Sequence, residues 1–273
     1  MRSFSIHSLL LVLLILPFAS THAQISIIGE LSHDRQVHPG EQYEGTVTVL
    51  NESEESQEVK IYQTDYTFFA DGTNNYAEPG TLPRSNASWI QFSPSHLVLP
   101  PRETSDVHFR VSAPQDTSRS IHGSYWSMLM VEGIQRGSPE SSFPANPLKK
   151  EMGIRQAIRY GIQIASHLAN TGNKEVRFLE AHLQTGDDGK HVLQLDIENT
   201  GSLGMRPEVY VELFDDTGTK KGRYSGLRYR LYPGTSVRQM IDFDNVLRGN
   251  YRALVVIDDG GNDVFAAEYS LEF

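Results

Sequence analysis

The residues of this chain that could do chemistry are few and scattered. The sequence has no cysteine and 10 histidines, so it offers no thiol nucleophile and little scope for a zinc site. The patterns G-x-S-x-G, H-E-x-x-H, G-x-G-x-x-G and the Walker loop, which mark common enzyme classes, do not occur in it. These observations favour a protein that is not an enzyme and that uses no cofactor and no metal.

Paired carboxylates do occur, but in turn-like surroundings. Aspartate pairs begin at Asp187, Asp215 and Asp258, each close to a glycine, and such sequences are typical of turns. The run DDGGND, from Asp258 to Asp263, is the one place where clustered oxygen atoms would suit calcium. It lacks the ligand spacing and the bidentate acid of an EF-hand loop. The sequence leaves a bound ion at this run open.

Residues 1–23 are predicted to be a signal peptide. Arg2 supplies a positive charge, residues 9–18 are all apolar, and the small residues Thr21 and Ala23 precede a cleavage point before Gln24. This apolar segment is too short to span a bilayer. We therefore expect the mature chain to be exported, to the periplasm or out of the cell, and to fold without disulfides.

The overall charge limits the possible partners. The formal net charge is −10 at pH 7, and the sequence has no cluster of basic residues. Nucleic acids and anionic membrane surfaces attract basic proteins, so neither is an expected partner.

Apolar residues alternate with polar ones along most of the chain, which predicts an all-β protein. Turn sequences such as ADGTNN and DDGGND separate the alternating segments, and this spacing is typical of antiparallel sandwiches. We predict two immunoglobulin-like sandwiches in tandem, at residues 24–168 and 169–273, with the hinge at 169–175. Core positions include Val107, Phe109 and Val111 in one strand, and Trp126 shares one face of another strand with Met128 and Met130.

The segment GIRQAIRYGIQIA, residues 153–165, is predicted to be a strand. Its apolar positions are Ile158, Tyr160, Ile162 and Ile164, every second residue. Alternation alone leaves two alternatives open. These side chains face the core of their own sandwich, or the strand lies at an edge where a second chain can pair with it.

Taken in order, five segments of the first domain resemble the N-terminal domain of periplasmic pilus-assembly chaperones, the PapD-like superfamily. The segments read DRQVHPGE, TVTVLNESEESQEVKIYQTDY, WIQFSPSHLVLPPRETSDVHFRV, GSYWSMLMVE and the strand just described. The resemblance covers roughly residues 25–167. The second domain is predicted instead to be an immunoglobulin- or fibronectin-like sandwich, with Tyr251 in a strand near its end.

The resemblance implies a mode of partner binding. In that family the last strand of the first domain completes an incomplete subunit, and two basic residues hold the terminal carboxylate of that subunit. By position these would be Arg35 and Arg159 here, and the apolar set offered to the partner would be Ile158, Tyr160, Ile162 and Ile164.

Two hypotheses about function follow from the sequence. The first is an exported, non-enzymatic chaperone-like protein that binds a pilin-like or surface-protein subunit by β-strand addition. The alternative is a structural or adhesive cell-surface protein whose immunoglobulin-like modules bind a neighbouring molecule.

Overall fold

A computed structural model describes residues 24–115, 121–144, 158–186 and 189–273, and they form seventeen β-strands and one short 3₁₀ turn at Ala87–Trp89. The all-β prediction is confirmed. The predicted signal peptide lies outside the described residues, as does the first aspartate pair, at 187–188. Within the described ranges no helix is long and apolar enough to cross a membrane.

The first sandwich contains ten strands. They are β1 (Ile25–Ile28), β2 (Ser32–Val37), β3 (Gln42–Asn51), β4 (Gln57–Phe68), β5 (Asn74–Ala77), β6 (Ile90–Ser93), β7 (His96–Leu99), β8 (Thr104–Ser112), β9 (Ser124–Ile134) and β10 (Arg159–Leu168). One sheet has the order β1-β3-β8-β6, and the other has the order β2-β10-β9-β4-β5, with β7 also paired to β4. Among the described strands, only β2 and β10 pair in parallel.

The buried side chains of the first sandwich follow the alternation of the sequence. Val107, Phe109 and Val111 on β8 are buried while His108 and Arg110 are exposed, as predicted. Because strand side chains alternate between the two faces of a sheet, every second residue of β8 reaches the core. Strand β9 differs, since it is buried on both faces.

In the described part of the chain, the second sandwich contains seven strands. They are β11 (Val176–Thr185), β12 (His191–Asn199), β13 (Glu208–Phe214), β14 (Lys220–Ser225), β15 (Ser236–Phe243), β16 (Asn250–Asp258) and β17 (Val264–Glu272). The sheets have the orders β11-β12-β15 and β14-β13-β16-β17. The Tyr251 hydroxyl donates to the Leu247 carbonyl at 3.0 Å, a hydrogen bond back to the preceding turn of the kind that many immunoglobulin-like folds use.

Each of the two sandwiches has a buried asparagine at the end of one strand, and the two asparagines form the same kind of hydrogen bonds. The Asn51 side chain at the end of β3 donates to the carbonyls of Leu99 and Pro100 and accepts from the Ser53 amide. Asn199 at the end of β12 has the same role, donating to the Leu231 carbonyl and accepting from the Gly201 amide. Each side chain is 0% exposed, so its hydrogen bonds replace those that water would otherwise supply.

The two sandwiches are in contact through backbone and side-chain hydrogen bonds. The Ser124 amide donates to the Ser202 carbonyl at 2.8 Å, and the Gly204 amide donates to the Ser124 hydroxyl at 2.7 Å. On another side the Ala70 amide donates to the Ser236 hydroxyl at 2.9 Å. Strand β10 leads directly into this junction, because residues 169–175 connect it to β11.

Candidate partner-binding site

Strand β10 is paired differently along its two halves. Strand β9 pairs with it from Arg159 to His167, so one edge of β10 is covered almost throughout. Strand β2 covers the opposite edge only from Gln163 to Leu168. Within the described residues, the edge at residues 159–162 therefore has no neighbouring strand. We call residues 159–162 the open edge of β10.

The hydrogen bonds show which backbone groups point to the open edge. The amides of Gln163 and Ala169 donate to the carbonyls of Leu31 and Val37, on the β2 side. The Leu168 amide donates to the Gly123 carbonyl, on the β9 side. Because successive residues of a strand point their backbone groups to opposite edges, odd-numbered residues face β2. The N–H and C=O groups of Arg159 and Gly161 therefore lie on the open edge.

The predicted apolar set of β10 divides between the core and the surface. Ile162 and Ile164 are 0% exposed and belong to the core of the first sandwich. Tyr160 packs against the same core, and its hydroxyl donates to the Ile25 carbonyl at 3.0 Å. Ile158 is partly exposed. The expectation that all four side chains are offered to a partner does not fit this packing, because two of them already fill their own domain.

The two predicted arginines do not converge. Arg35 on β2 is level with Ser166 of β10, seven residues from Arg159, which corresponds to about 23 Å along a strand. Arg35 lies on the core-side face, with its guanidinium carbon 5.6 Å from the centroid of the Tyr43 ring. Arg159 lies on the outer face, next to Tyr62. The prediction of a shared carboxylate site is wrong, because register places the two side chains on opposite faces.

Exposed apolar side chains lie beside the open edge. Leu31, whose carbonyl accepts from the Gln163 amide, is 47% exposed, and Ile28 at the end of β1 is 51% exposed. Between them Gly29 has a φ of +102°, a region that favours glycine, and there the chain leaves one sheet for the other. This change of sheet is why β2 begins too late to cover the open edge.

The other half of β10 is fixed by the second domain. Asp34 on β2 forms an ion pair with Arg230, with its Oδ2 2.6 Å from Nη2. The Tyr232 hydroxyl donates to Oε1 of Gln163 at 3.2 Å. The Tyr232 ring stacks on Trp126 of β9, with centroids 4.6 Å apart and an interplanar angle of 10°. These contacts hold β2 against residues 163–168 of β10.

Electrostatics follow from this packing. Burial alone would raise the pKa of Asp34, but hydrogen bonds from His167 and Arg230, together with their charges, hold it well below its usual range. Burial, and then the charge of Asp34, raises the pKa of the Tyr232 hydroxyl, which therefore stays neutral. The members of this cluster are joined by hydrogen bonds and ion pairs, since Arg230 donates to Asp34 and Tyr232 donates to Gln163.

The remaining candidate from the sequence, the DDGGND run, is engaged by a lysine. Lys174 Nζ lies 2.8 Å from a carboxylate oxygen of both Asp259 and Asp263. The Asp258 carboxylate accepts the Gly260 amide, as expected for a turn. Among the described residues no group of histidine, aspartate and glutamate side chains is arranged to hold a metal ion.

Sequence reasoning missed the residues that distinguish the two halves of β10. Asp34 is next to Arg35 in the sequence but was not predicted to have a role. Leu31 and Gly161 belong to no recognisable motif. Tyr232 lies 106 positions after Trp126, so no local pattern could connect the two rings. The open edge itself is a property of strand pairing, which alternation does not encode.

Comparisons with known proteins gave structural similarities only. No family model matches the chain, and no curated protein matches it. Among solved structures, it is similar to a chain of the chaperone–tip adhesin complex of CFA/I fimbriae (15% identity, 90% of this chain and 98% of that chain, TM-score 0.46). It is also similar to the class 5 fimbriae chaperone CfaA (14% identity, 89% and 98%, 0.45). A third is a chain of the CsuC–CsuE chaperone–tip subunit complex of Acinetobacter baumannii (14% identity, 90% and 98%, 0.42). These similar structures are fimbrial or pilus chaperones or their complexes.

Proposed function

We propose that this protein is an exported, non-enzymatic, chaperone-like protein that binds a partner subunit by adding a strand of the partner to the open edge of β10. One observation carries the proposal: the backbone groups of Arg159 and Gly161 lie on an edge that no described strand covers. A partner strand there would gain main-chain hydrogen bonds, which supply the affinity in this mode of recognition.

The side chains around the edge suit the same role. Leu31 and Ile28 are exposed beside it, and Ile158 is partly exposed at its beginning. A bare, apolar strand edge invites aggregation unless it has a partner. The proposal therefore assigns the apolar contact to these three residues, and not to Ile162 and Ile164.

The class of partner follows from the same mode of binding. The proposed partner is a subunit, pilin-like or from another surface structure, that has an unsatisfied strand edge of its own. The proposed location is the periplasm or the exterior of the cell, which rests on the signal peptide predicted at residues 1–23.

The test compares matched variants in capture of partners from a periplasmic extract of the native host. Leu31→Lys places a charge beside the open edge. Leu179→Lys, on β11 of the second domain, is the control, since Leu31 is 47% and Leu179 is 43% exposed. Exposed substitutions of this kind change stability by about 0.5 kcal/mol or less, so both variants should fold.

We expect Leu31→Lys to lose the captured subunit and Leu179→Lys to retain it. Mass spectrometry identifies the subunit, and hydrogen exchange on the purified complex should show new protection at the amides of Arg159 and Gly161. Capture that survives Leu31→Lys, or a complex in which these two amides gain no protection, would refute strand addition at this edge.

A further inference from the structure

A cavity of about 280 Å³ lies at the junction of the two sandwiches, away from the open edge of β10. Leu82, Pro83 and Trp126 of the first domain line it, and Pro233 and Gly234 of the second domain complete its wall. We call it the junction cavity. Small-molecule sites are found preferentially between domains, and this volume is close to the lower end of their range.

The apolar wall of the junction cavity is already fixed. The Trp126 ring stacks on Tyr232, and its Nε1 donates to the Tyr66 carbonyl at 2.7 Å. The indole therefore needs no hydrogen bond from a ligand and presents apolar ring surface. Pro83 and Pro233 have restricted backbones, so an apolar group entering the cavity would meet a wall that is already in place and would order little of it.

One cation lines the same cavity. The Nη1 atom of Arg84 donates to the carbonyls of His122 and Ser124, at 3.0 and 3.2 Å, which holds the guanidinium in position. Its carbon lies 5.6 Å from the centroid of the Tyr125 ring. Within the described parts of the chain, Nε and Nη2 of Arg84 donate no hydrogen bond. These two nitrogens form the side of the fork that fits both oxygens of a carboxylate.

The charge of Arg84 is not neutralised by Asp65, whose carboxylate lies beside the neighbouring residue Ser85. The Asp65 carboxylate is buried, and it accepts hydrogen bonds from the Gly80 and Leu82 amides and from the Ser85 hydroxyl. Asp65 is not among the residues that line the cavity. A positive group at the edge of an apolar cavity is the arrangement that selects an anion with an apolar body.

We propose that the junction cavity binds a small carboxylic acid with an apolar tail. The tail lies against Trp126 and Pro233, and the ionised carboxylate accepts two hydrogen bonds from Nε and Nη2 of Arg84. Because both domains line the cavity, the bound acid contacts both. This site is separate from the open edge of β10 and does not depend on the proposed strand addition.

Isothermal titration calorimetry on the full mature chain at neutral pH tests the proposal, with 3-phenylpropionate as the probe and 3-phenylpropanol as its neutral counterpart. Arg84→Met removes the proposed carboxylate partner. Arg223→Met is the matched control, because the Arg223 guanidinium also lies over a tyrosine, with its carbon 3.6 Å from the centroid of the Tyr210 ring, but in the second domain.

The wild type and Arg223→Met should bind the acid at least about tenfold more tightly than the alcohol, and Arg84→Met should lose that preference. Equal binding of acid and alcohol, no saturable binding up to about 10 mM, or an unchanged preference in Arg84→Met would overturn the proposal. If Arg84→Met does not fold, Arg84→Lys is measured, since it keeps the charge without the fork. It should bind the acid several-fold more weakly, and unchanged binding would overturn the proposal.

Discussion

The two halves of β10 share one alternating sequence but have different surroundings. Residues 163–168 lie between β9 and β2, and the second domain fixes β2 from outside through Asp34 and Arg230. Residues 159–162 pair with β9 alone among the described strands. The same pattern of side chains therefore produces a locked strand at one end and an available edge at the other. Side-chain alternation determines which face of a strand is buried, whereas the neighbouring strands determine whether its edge is free.

The largest effect is expected when a charge is placed on the core-facing side of residues 159–162. Ile162 is one of residues 159–162, but its backbone groups face β9 and its side chain is 0% exposed. Ile162→Asp would bury an unpaired carboxylate and should lower the free energy of unfolding by on the order of 5 kcal/mol. Ile158→Asp, at a partly exposed position, should cost about 1 kcal/mol or less. Denaturant unfolding measures both losses of stability. Equal losses would contradict the burial of Ile162 in the core of the first sandwich.

The next largest effect is expected at the contact between Trp126 of β9 and Tyr232 of the second domain. Trp126→Ala removes a buried ring and should cost about 3–5 kcal/mol. The structure corrects the view that Trp126 belongs to the core of its own sandwich, because the ring lies on the outer face of β9 against Tyr232. A double-mutant cycle of Trp126→Ala with Tyr232→Ala should give a coupling energy of about 0.5–1.5 kcal/mol. Additive losses would mean that the stacked pair does not fix the domains.

Acid should also weaken the contact between β2 and the second domain, because it includes the carboxylate of Asp34. The pKa of Asp34 is depressed in the folded protein, so its contribution to stability is present above its ordinary pKa of about 3.9 and is lost as the pH falls below that value. In Asp34→Asn this part of the loss should be absent, so the variant should be less stable than the wild type at pH 7 and closer to it at pH 3. Asp242→Asn, at an exposed position on β15, is the control. Melting temperatures across this pH range measure the difference, and parallel curves for Asp34→Asn and the wild type would contradict it.

The smallest effect on stability is expected at the open edge. Arg159 is exposed, so Arg159→Ala should change the free energy of unfolding by about 0.5 kcal/mol or less. Capture of the partner subunit should weaken by about tenfold, because a charged donor beside the added strand is lost. Arg35→Ala, on the opposite face and seven residues away in register, should leave capture unchanged. If both variants weaken capture equally, the two arginines do act together.

How far the sequence predicts this molecule depends on whether the determining residues are close together in the chain. Alternation correctly predicts burial of Val107, Phe109 and Val111, because each side chain needs only its own strand to be placed on a face. Alternation cannot predict where β2 lies in the sheet, because β2 pairs with residues about 130 positions later in the chain. The distance between Arg35 and Arg159 is likewise set by the long-range pairing of β2 with β10. The same limit applies to Trp126, because the residue that buries its ring, Tyr232, belongs to the other domain.

Amide hydrogen exchange along β10, resolved residue by residue by NMR, tests whether the edge at residues 159–162 is open. The Gly161 amide points to the open edge, whereas the Gln163 amide, two residues further on, donates to the Leu31 carbonyl at 2.9 Å. Protection reflects the free energy of opening each hydrogen bond. Gly161 should therefore exchange rapidly in the free protein and Gln163 slowly, and the addition of the partner subunit should protect Gly161. Slow exchange at Gly161 in the free protein, or rapid exchange that persists in the complex, would contradict an open edge that receives a partner strand.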